Sequence, residues 1–589
     1  MQRAWFMVML LLTGCSVPQP HSDGRAGDAD AALAKLIDEY LKGYLAWRPA
    51  LAVRLGLHQY DGRITDLSPA SLQAERRRLK DFETRLASLP TNLLSREAAW
   101  DYQILLTSIR NELFEFDVLQ HYNRNPMTYV RALDLDIYIR RNFAPLEQRV
   151  RSIIAILDQA SNLMAAARAN LAQALPRPYV ETAMQMAEGQ IQFLKTDLVQ
   201  ALEPCTNVSL RAAFDRAQGQ AVAALEGFVA YLKETALPVA HEQFALGRDN
   251  FARMLREGEL IHWPPEQILD IGLRELAREQ QAFAEAARRI DPTRPPIEVF
   301  RAIQKEHPTE QSLLADTRRN LEAIRQFVVQ RRIVTIPSEV RPRVEETPPF
   351  ERATSFASMD TPGPFETQAT EAYYYVTPPD PAWTPEQKAQ WLTAFNYYTT
   401  DIVSIHEAYP GHYVQALCLN ASKVSPLRKI IKSYAFEEGW AHYTEQMMLE
   451  QGFGTDPSTG RADPIRAAKY RLAQADEALL RLCRLCVAIR MHCQGMTVAE
   501  ATRFFMDNCY YEEKPARQEA IRGTFDPGYL YYTLGKLMIL KLREDWRQQE
   551  GPAFSLQRFH DELLRHGQPP LPLLRQMMLN DPKLWDQLL

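Results

Sequence analysis

Apolar residues recur at three- and four-residue intervals, with charged residues between them, through residues 31–47, 71–86, 146–174, 210–237 and 265–289. That period lets a helix turn one apolar face to a core, so it commits most of the chain to amphipathic α-helices. Start signals fall where the pattern needs them. Ser68-Pro69 supplies an N-cap and an N1 proline, while Thr384-Pro385-Glu386-Gln387 and Thr497-Val498-Ala499-Glu500 are capping boxes. No repeat of fixed length runs through these segments, which favours a compact body over a solenoid. A chain of 589 residues has ample material for its core. The expected fold is mainly α, a large helical body with a deep cleft.

Between residues 332 and 377 the texture changes. Residues 332–337, 339–344 and 371–377 are short, rich in β-branched or aromatic side chains, and separated by Pro/Gly turns such as Thr361-Pro362-Gly363-Pro364. A small antiparallel β-sheet is expected there, dividing an N-terminal helical region (31–330) from a C-terminal region (331–589) that carries the chemistry. The sheet lies just upstream of a His-Glu cluster. Tyr374 is either a contact for an extended peptide added at a strand edge or part of a cover over the core.

The N-terminus has its own pattern. Arg3 follows the first two residues, an apolar run reaches Leu12, and Leu12-Thr13-Gly14-Cys15 follows, resembling a bacterial lipoprotein signal and its lipobox. On that reading residues 1–14 are removed, Cys15 is lipidated, and residues 15–30 tether the body to a membrane by acyl chains. An ordinary cleaved secretory signal is the alternative. Ser16 after the cysteine resembles the arrangement that sends such proteins to the outer membrane, facing the periplasm. A net charge of -5 and the lack of any Lys/Arg-rich block argue against nucleic acid as a partner. Six further cysteines (205, 418, 483, 486, 493 and 509) permit disulfides. Cys483, Cys486 and Cys493 beside His492 read as buried thiols or one long-range bridge rather than a metal box.

Two clusters carry the chemistry: His406-Glu407-Ala408-Tyr409-Pro410-Gly411-His412, and Glu437-Glu438-Gly439-Trp440 with His442 and Glu445 beyond. Two imidazoles and a carboxylate with a position left open are what a catalytic zinc requires. In the common H-E-x-x-H pattern the histidines lie one helical turn apart. Here the step is six residues, which on a regular helix turns the second ring roughly 120° away. Pro410-Gly411 must therefore distort the helix if both rings are to reach one metal.

The stretch His406 to His412 with Glu438-Gly439-Trp440-Ala441 resembles the bacterial family known as domain of unknown function 885. That family in turn resembles helical gluzincin-type zinc peptidases such as carboxypeptidase Taq and angiotensin-converting enzyme. The resemblance implies His406, His412 and Glu438 as ligands of one zinc, with Glu437 the adjacent alternative, and Glu407 as general base. It places Glu445 where it can orient a ligand imidazole, and His442 as a neighbouring polar or packing residue. Downstream, the same resemblance implies Tyr532 as the first choice and Tyr529 as the second for the phenol that stabilises a tetrahedral intermediate. His492 is either a further donor or a core histidine. Arg522 either holds a substrate carboxylate or forms a salt bridge.

The expectation is thus a lipid-anchored zinc metallopeptidase acting on peptides. A catalytically silent envelope lipoprotein that binds a partner, and a metal-dependent amidase or esterase, are the alternatives. The His/His/Glu set also suits manganese, iron or cobalt.

Overall fold

The structure is a computed structural model that describes residues 22–348, 352, 356–455 and 463–589. The expected signal peptide and Cys15 lie outside these residues. The part of the expected tether that is described belongs to the helix Ser22–Trp47.

The molecule is mainly α. Long amphipathic helices such as Pro265–Ile290 place Ile268, Leu269, Leu276 and Phe283 on one buried face, as the sequence period requires. Thr384 and Thr497 close their capping boxes on Gln387 and Glu500, and Ser68 caps the helix Pro69–Ala87. One apolar core is confined to residues between Val53 and Ala236, with Ala369. The larger core joins Tyr40, Phe114 and Phe283 to Trp440, Leu485 and Phe559. Packing therefore continues across residue 330. The division expected there follows a change of local texture, not a gap in the core.

The sheet is small and mixed. β1 (Arg343–Glu346) and β2 (Ala357–Asp360) flank β3 (Tyr373–Val376), β1 parallel to it and β2 antiparallel. One pairing is antiparallel as expected and the other is not. Residues 332–337 form no strand, and β2 carried no clear strand signal. β3 is central, so Tyr374 is not on an edge. Alternation turns Tyr374 and Val376 to the core, and the Tyr374 hydroxyl lies 3.0 Å from Ser404 Oγ. Ser404 belongs to the helix Tyr397–Glu407, so the sheet braces the helix that carries His406.

Two helix pairs position the rest of the site. Helix Pro464–Cys493 packs along Pro265–Ile290, and helix Tyr434–Glu450 packs along Tyr531–Glu550. The six downstream cysteines are all free thiols.

Candidate metal centre

Helix Tyr397–Glu407 stops at the general-base candidate, and a second helix, His412–Ala421, starts at the second histidine. Between them Tyr409-Pro410 is a cis peptide, and Gly411 N–H donates to Ile405 O at 3.0 Å. The backbone here is so close that a Cβ on Gly411 would stand 1.7 Å from His406 O, so only glycine fits. The expected distortion is therefore a complete break between two helices. It brings the His406 and His412 rings to 4.9 Å between centroids, at 86° to each other. Trp440 locks the turn by donating its indole N–H to Pro410 O at 3.0 Å and Gly411 O at 3.3 Å.

The third group comes from helix Tyr434–Glu450, whose N-cap Ser433 accepts from Phe436 N–H. A buried carboxylate from another helix, Glu259, accepts from the Ser433 hydroxyl and from Ala435 N–H. It thereby satisfies donors that a helix start leaves open. Glu438 Oε2 lies 3.5 Å from His406 Nε2 and 3.4 Å from His412 Nε2. Glu437 turns away to Lys432 Nζ at 2.9 Å. Ligand atoms about 2.0–2.2 Å from a four-coordinate zinc stand about 3.3–3.6 Å apart, so the spacing of Glu438 to each histidine fits. Glu438 Oε2 is also buried without a hydrogen-bond partner among the described residues, a costly arrangement unless a cation takes its place. Burial would raise this carboxyl, but the two imidazoles outweigh it and hold it well below the usual carboxylate range. The side chains of His412 and Glu438 are 22% and 20% exposed, leaving one side of the cluster open to solvent.

Behind the cluster, Glu445 is fully buried. Its Oε1 accepts from His406 Nδ1 at 2.7 Å and its Oε2 from His442 Nδ1 at 3.0 Å, with Arg481 Nη2 at 3.4 Å. Burial would raise Glu445 too, but Arg481 and the imidazoles hold it well below its ordinary value. An ionised carboxylate only accepts, so both histidines carry their proton on Nδ1. His406 thus keeps Nδ1 on Glu445 and turns Nε2 toward Glu438 and His412.

Glu407 follows His406 directly, is half-buried, and has no hydrogen-bond partner among the described residues. Tyr532 stands in the first turn of helix Tyr531–Glu550, its ring 6.5 Å from that of His406 and 18° from parallel. The guanidinium carbons of Arg484, Arg481 and Arg522 lie 5.3, 5.8 and 6.0 Å from its centroid. Burial and the Glu438 charge raise the Tyr532 hydroxyl against Arg484 and Arg522, so it stays a protonated donor. Arg522 pairs with Asp526 Oδ2 through Nε at 3.0 Å and Nη2 at 2.9 Å. That is the salt bridge given as its alternative, although the side chain remains 31% exposed.

Three expected site residues are enclosed instead. Tyr374 points from β3 into the core, fully buried against Ser404. Tyr529 is fully buried and packs against Gly523, so the short turn Pro527–Leu530 directs it inward. His492 donates from Nε2 to Gly523 O at 2.8 Å and accepts from Leu246 N–H at Nδ1, 3.3 Å. It is packed against Phe244 and Phe251. Burial pushes its pKa down to about 4, and neither nitrogen is left for an oxyanion. It is a core histidine.

The sequence profile of the bacterial proteins of unknown function DUF885 matches residues 49–578. The chain belongs to the DUF885 family. Its fold is similar to that of a "putative lipoprotein of unknown function" from Shewanella oneidensis: TM-score 0.75, 24% identity, covering 93% of this chain and 100% of that one. It is also similar to a "putative lipoprotein" from Colwellia psychrerythraea: TM-score 0.76, 18% identity, covering 95% and 99%. No curated protein matches. The DUF885 match takes in every member of the cluster above.

Sequence reading passed over Arg481 and Glu519. Arg484 is held by Glu519 through two bonds, 2.8 and 2.9 Å, which stiffens the wall behind Tyr532. Their one signal is the burial of arginines on a helix whose neighbours are apolar, Leu480, Leu482 and Leu485. A buried charge requires a partner.

Proposed function

We propose that this DUF885 chain is a metal-dependent hydrolase, a zinc metallopeptidase acting on peptides. The convergence of His406 Nε2, His412 Nε2 and Glu438 Oε2 beside an unpaired Glu407 carries the reading. The nitrogen and oxygen donor set suits zinc, with a neighbouring divalent transition metal as the substitute. When bound, the metal would supply Lewis acidity and make water a better nucleophile at neutral pH.

The protein's own groups divide the remaining work. Glu407 takes the proton of the attacking water and returns it to the leaving amine. Tyr532 donates to the carbonyl oxygen as negative charge builds there, a role supported by its protonated phenol and by the cations around its ring. Glu445 and Arg481 keep His406 in one tautomer and one orientation. The N-terminal signal supports a lipid-anchored location in the cell envelope, at the outer membrane facing the periplasm. None of the described helices is long and apolar enough to cross a membrane.

Metal analysis of purified protein and turnover of a peptide library test the reading together. The expected result is one zinc per chain with peptide cleavage, and Glu407→Gln keeping the metal while losing roughly 10²–10⁴-fold in kcat. Full activity in Glu407→Gln would remove its role as base, and protein that holds no metal would remove the proposal.

A further inference from the structure

Of the three arginines around the Tyr532 ring, two are spent on carboxylates and one keeps donors to spare. Arg484 is held by both oxygens of Glu519, and Arg481 is shared between Glu477 and Glu445; each of these arginine side chains is 10% exposed. Arg522 is 31% exposed. Asp526 meets it with a single oxygen, which takes Nε and one N–H of Nη2, and no other carboxylate pairs with it among the described residues. A guanidinium carries five N–H donors and no acceptor. The end formed by Nη1 and Nη2 is therefore left for another group, while the Asp526 contact fixes the plane of the fork.

Beside that end stands the Tyr434 hydroxyl, 3.4 Å from Arg522 Nη2. Its oxygen can accept from the arginine, but its own proton then needs an acceptor, and the described residues supply none. Burial, followed by the Asp526 charge, raises this hydroxyl, so it stays protonated. Two donors thus face one space with no acceptor between them, the complement of a carboxylate.

This pair is tied to the metal centre. Tyr434 and Glu438 are four residues apart on one helix, which puts them on the same face, about 6 Å apart along its axis. The Tyr434 ring lies 5.9 Å from that of Tyr532, which lies 6.5 Å from that of His406. An extended residue spans about 3.3–3.6 Å, so roughly two residues of peptide reach from a bond at the metal to the pair.

Resting on the metal-centre reading above, we infer that Arg522 and Tyr434 form a subsite for a substrate carboxylate, within about two residues of the bond that is cleaved. Arg522 engages both oxygens through Nη1 and Nη2, Tyr434 donates to one of them, and Asp526 holds the guanidinium in place. The carboxylate belongs either to the C-terminus of the peptide or to an acidic side chain; the chemistry of recognition is the same.

The test takes a peptide that the protein cleaves and remakes it in four N-acetylated forms: as the C-terminal acid, as the C-terminal amide, and as that amide with glutamate or glutamine for its last residue. Steady-state kinetics are measured for wild type, Arg522→Gln and Tyr434→Phe. The inference expects wild type to favour acid over amide, or glutamate over glutamine, by roughly 10–100-fold in kcat/KM. The first preference assigns a C-terminal carboxylate and the second an acidic side chain. Arg522→Gln abolishes the preference by weakening the charged member alone, and Tyr434→Phe reduces it. An arginine that only braces its helix through Asp526 predicts equal losses on charged and uncharged peptides, and that result overturns the inference, as does a wild type that does not discriminate. Should Arg522→Gln fail to fold, the wild-type preference and its reduction in Tyr434→Phe decide. Zinc-loaded wild type that cleaves no peptide sinks the hydrolase reading instead. The subsite is then read by calorimetric titration with N-acetyl-tetraalanine as acid and as amide: tighter binding of the acid supports it, and equal affinities refute it.

Discussion

Gly439 and Gly535 meet backbone to backbone: a Cβ on Gly439 would stand 2.6 Å from the Gly535 Cα, and one on Gly535 would stand 1.9 Å from Ala435 O. This contact sets how closely the Glu438 helix and the Tyr532 helix approach. Gly535→Ala must push them apart, at a cost of about 1–3 kcal/mol. The expected outcome is a lower melting temperature by circular dichroism, with a larger loss of peptide turnover than of stability because Tyr532 moves away from the cluster. A melting curve superimposable on wild type would show that the crossing yields cheaply.

Gly411 is a sharper test of the ligand geometry. A Cβ there collides with His406 O, so Gly411→Ala must open the turn that brings His412 back toward His406. Zinc content well below one per chain is expected, with far-ultraviolet circular dichroism close to wild type because both flanking helices survive. Full zinc occupancy would mean that His412 is not a ligand.

Tyr532→Phe removes one hydroxyl and leaves the ring packed among three arginines. If the phenol stabilises charge only as the carbonyl is attacked, kcat falls by roughly 10²–10³ while KM changes little. Steady-state kinetics on a cleaved peptide separates the two. A change confined to KM would recast Tyr532 as a binding residue.

His58 provides a pH response away from the cluster. Its Nδ1 lies 3.1 Å from Asp61 Oδ1 and its Nε2 2.8 Å from Glu366 Oε2, and two ionised carboxylates can both accept only from a charged ring. Burial works against that charge, but the hydrogen bonds to Asp61 and Glu366 outweigh it and raise the His58 pKa. A folded pKa above the unfolded value of about 6.5 gives a stabilisation that is full below that pH and is lost as pH rises through the folded value. Urea denaturation across neutral pH should therefore show wild type ahead of His58→Gln on the acid side, with the two converging on the alkaline side. Parallel curves would show that the imidazolium contributes nothing.

Much of the helical architecture could be read from apolar period and capping residues, because both are local. The sheet could not. Strand texture marked Tyr373 to Val376, but the burial of that strand between β1 and β2 depends on partners far apart in sequence. A period of two leaves open which face of Tyr373-Tyr374-Tyr375 meets the core. The spacing from His406 to His412 announced that something must bend. It did not reveal that the first helix ends at Glu407, since the close approach of Gly411 to His406 O exists only once the turn has formed. His492 and Tyr529 failed as site residues for a related reason. Motif position carries no information about whether a side chain turns toward solvent or is consumed by a carbonyl such as Gly523 O.

Trp440 has a mechanical consequence. It stands two residues after Glu438, and its indole holds the carbonyls of Pro410 and Gly411, just before His412. A displacement of the Glu438 helix therefore drags the His412 turn with it, so the two groups keep their spacing while the surrounding body shifts. The cluster behaves as a cassette with an internal brace, able to ride on movements of the larger molecule without being pulled open by them.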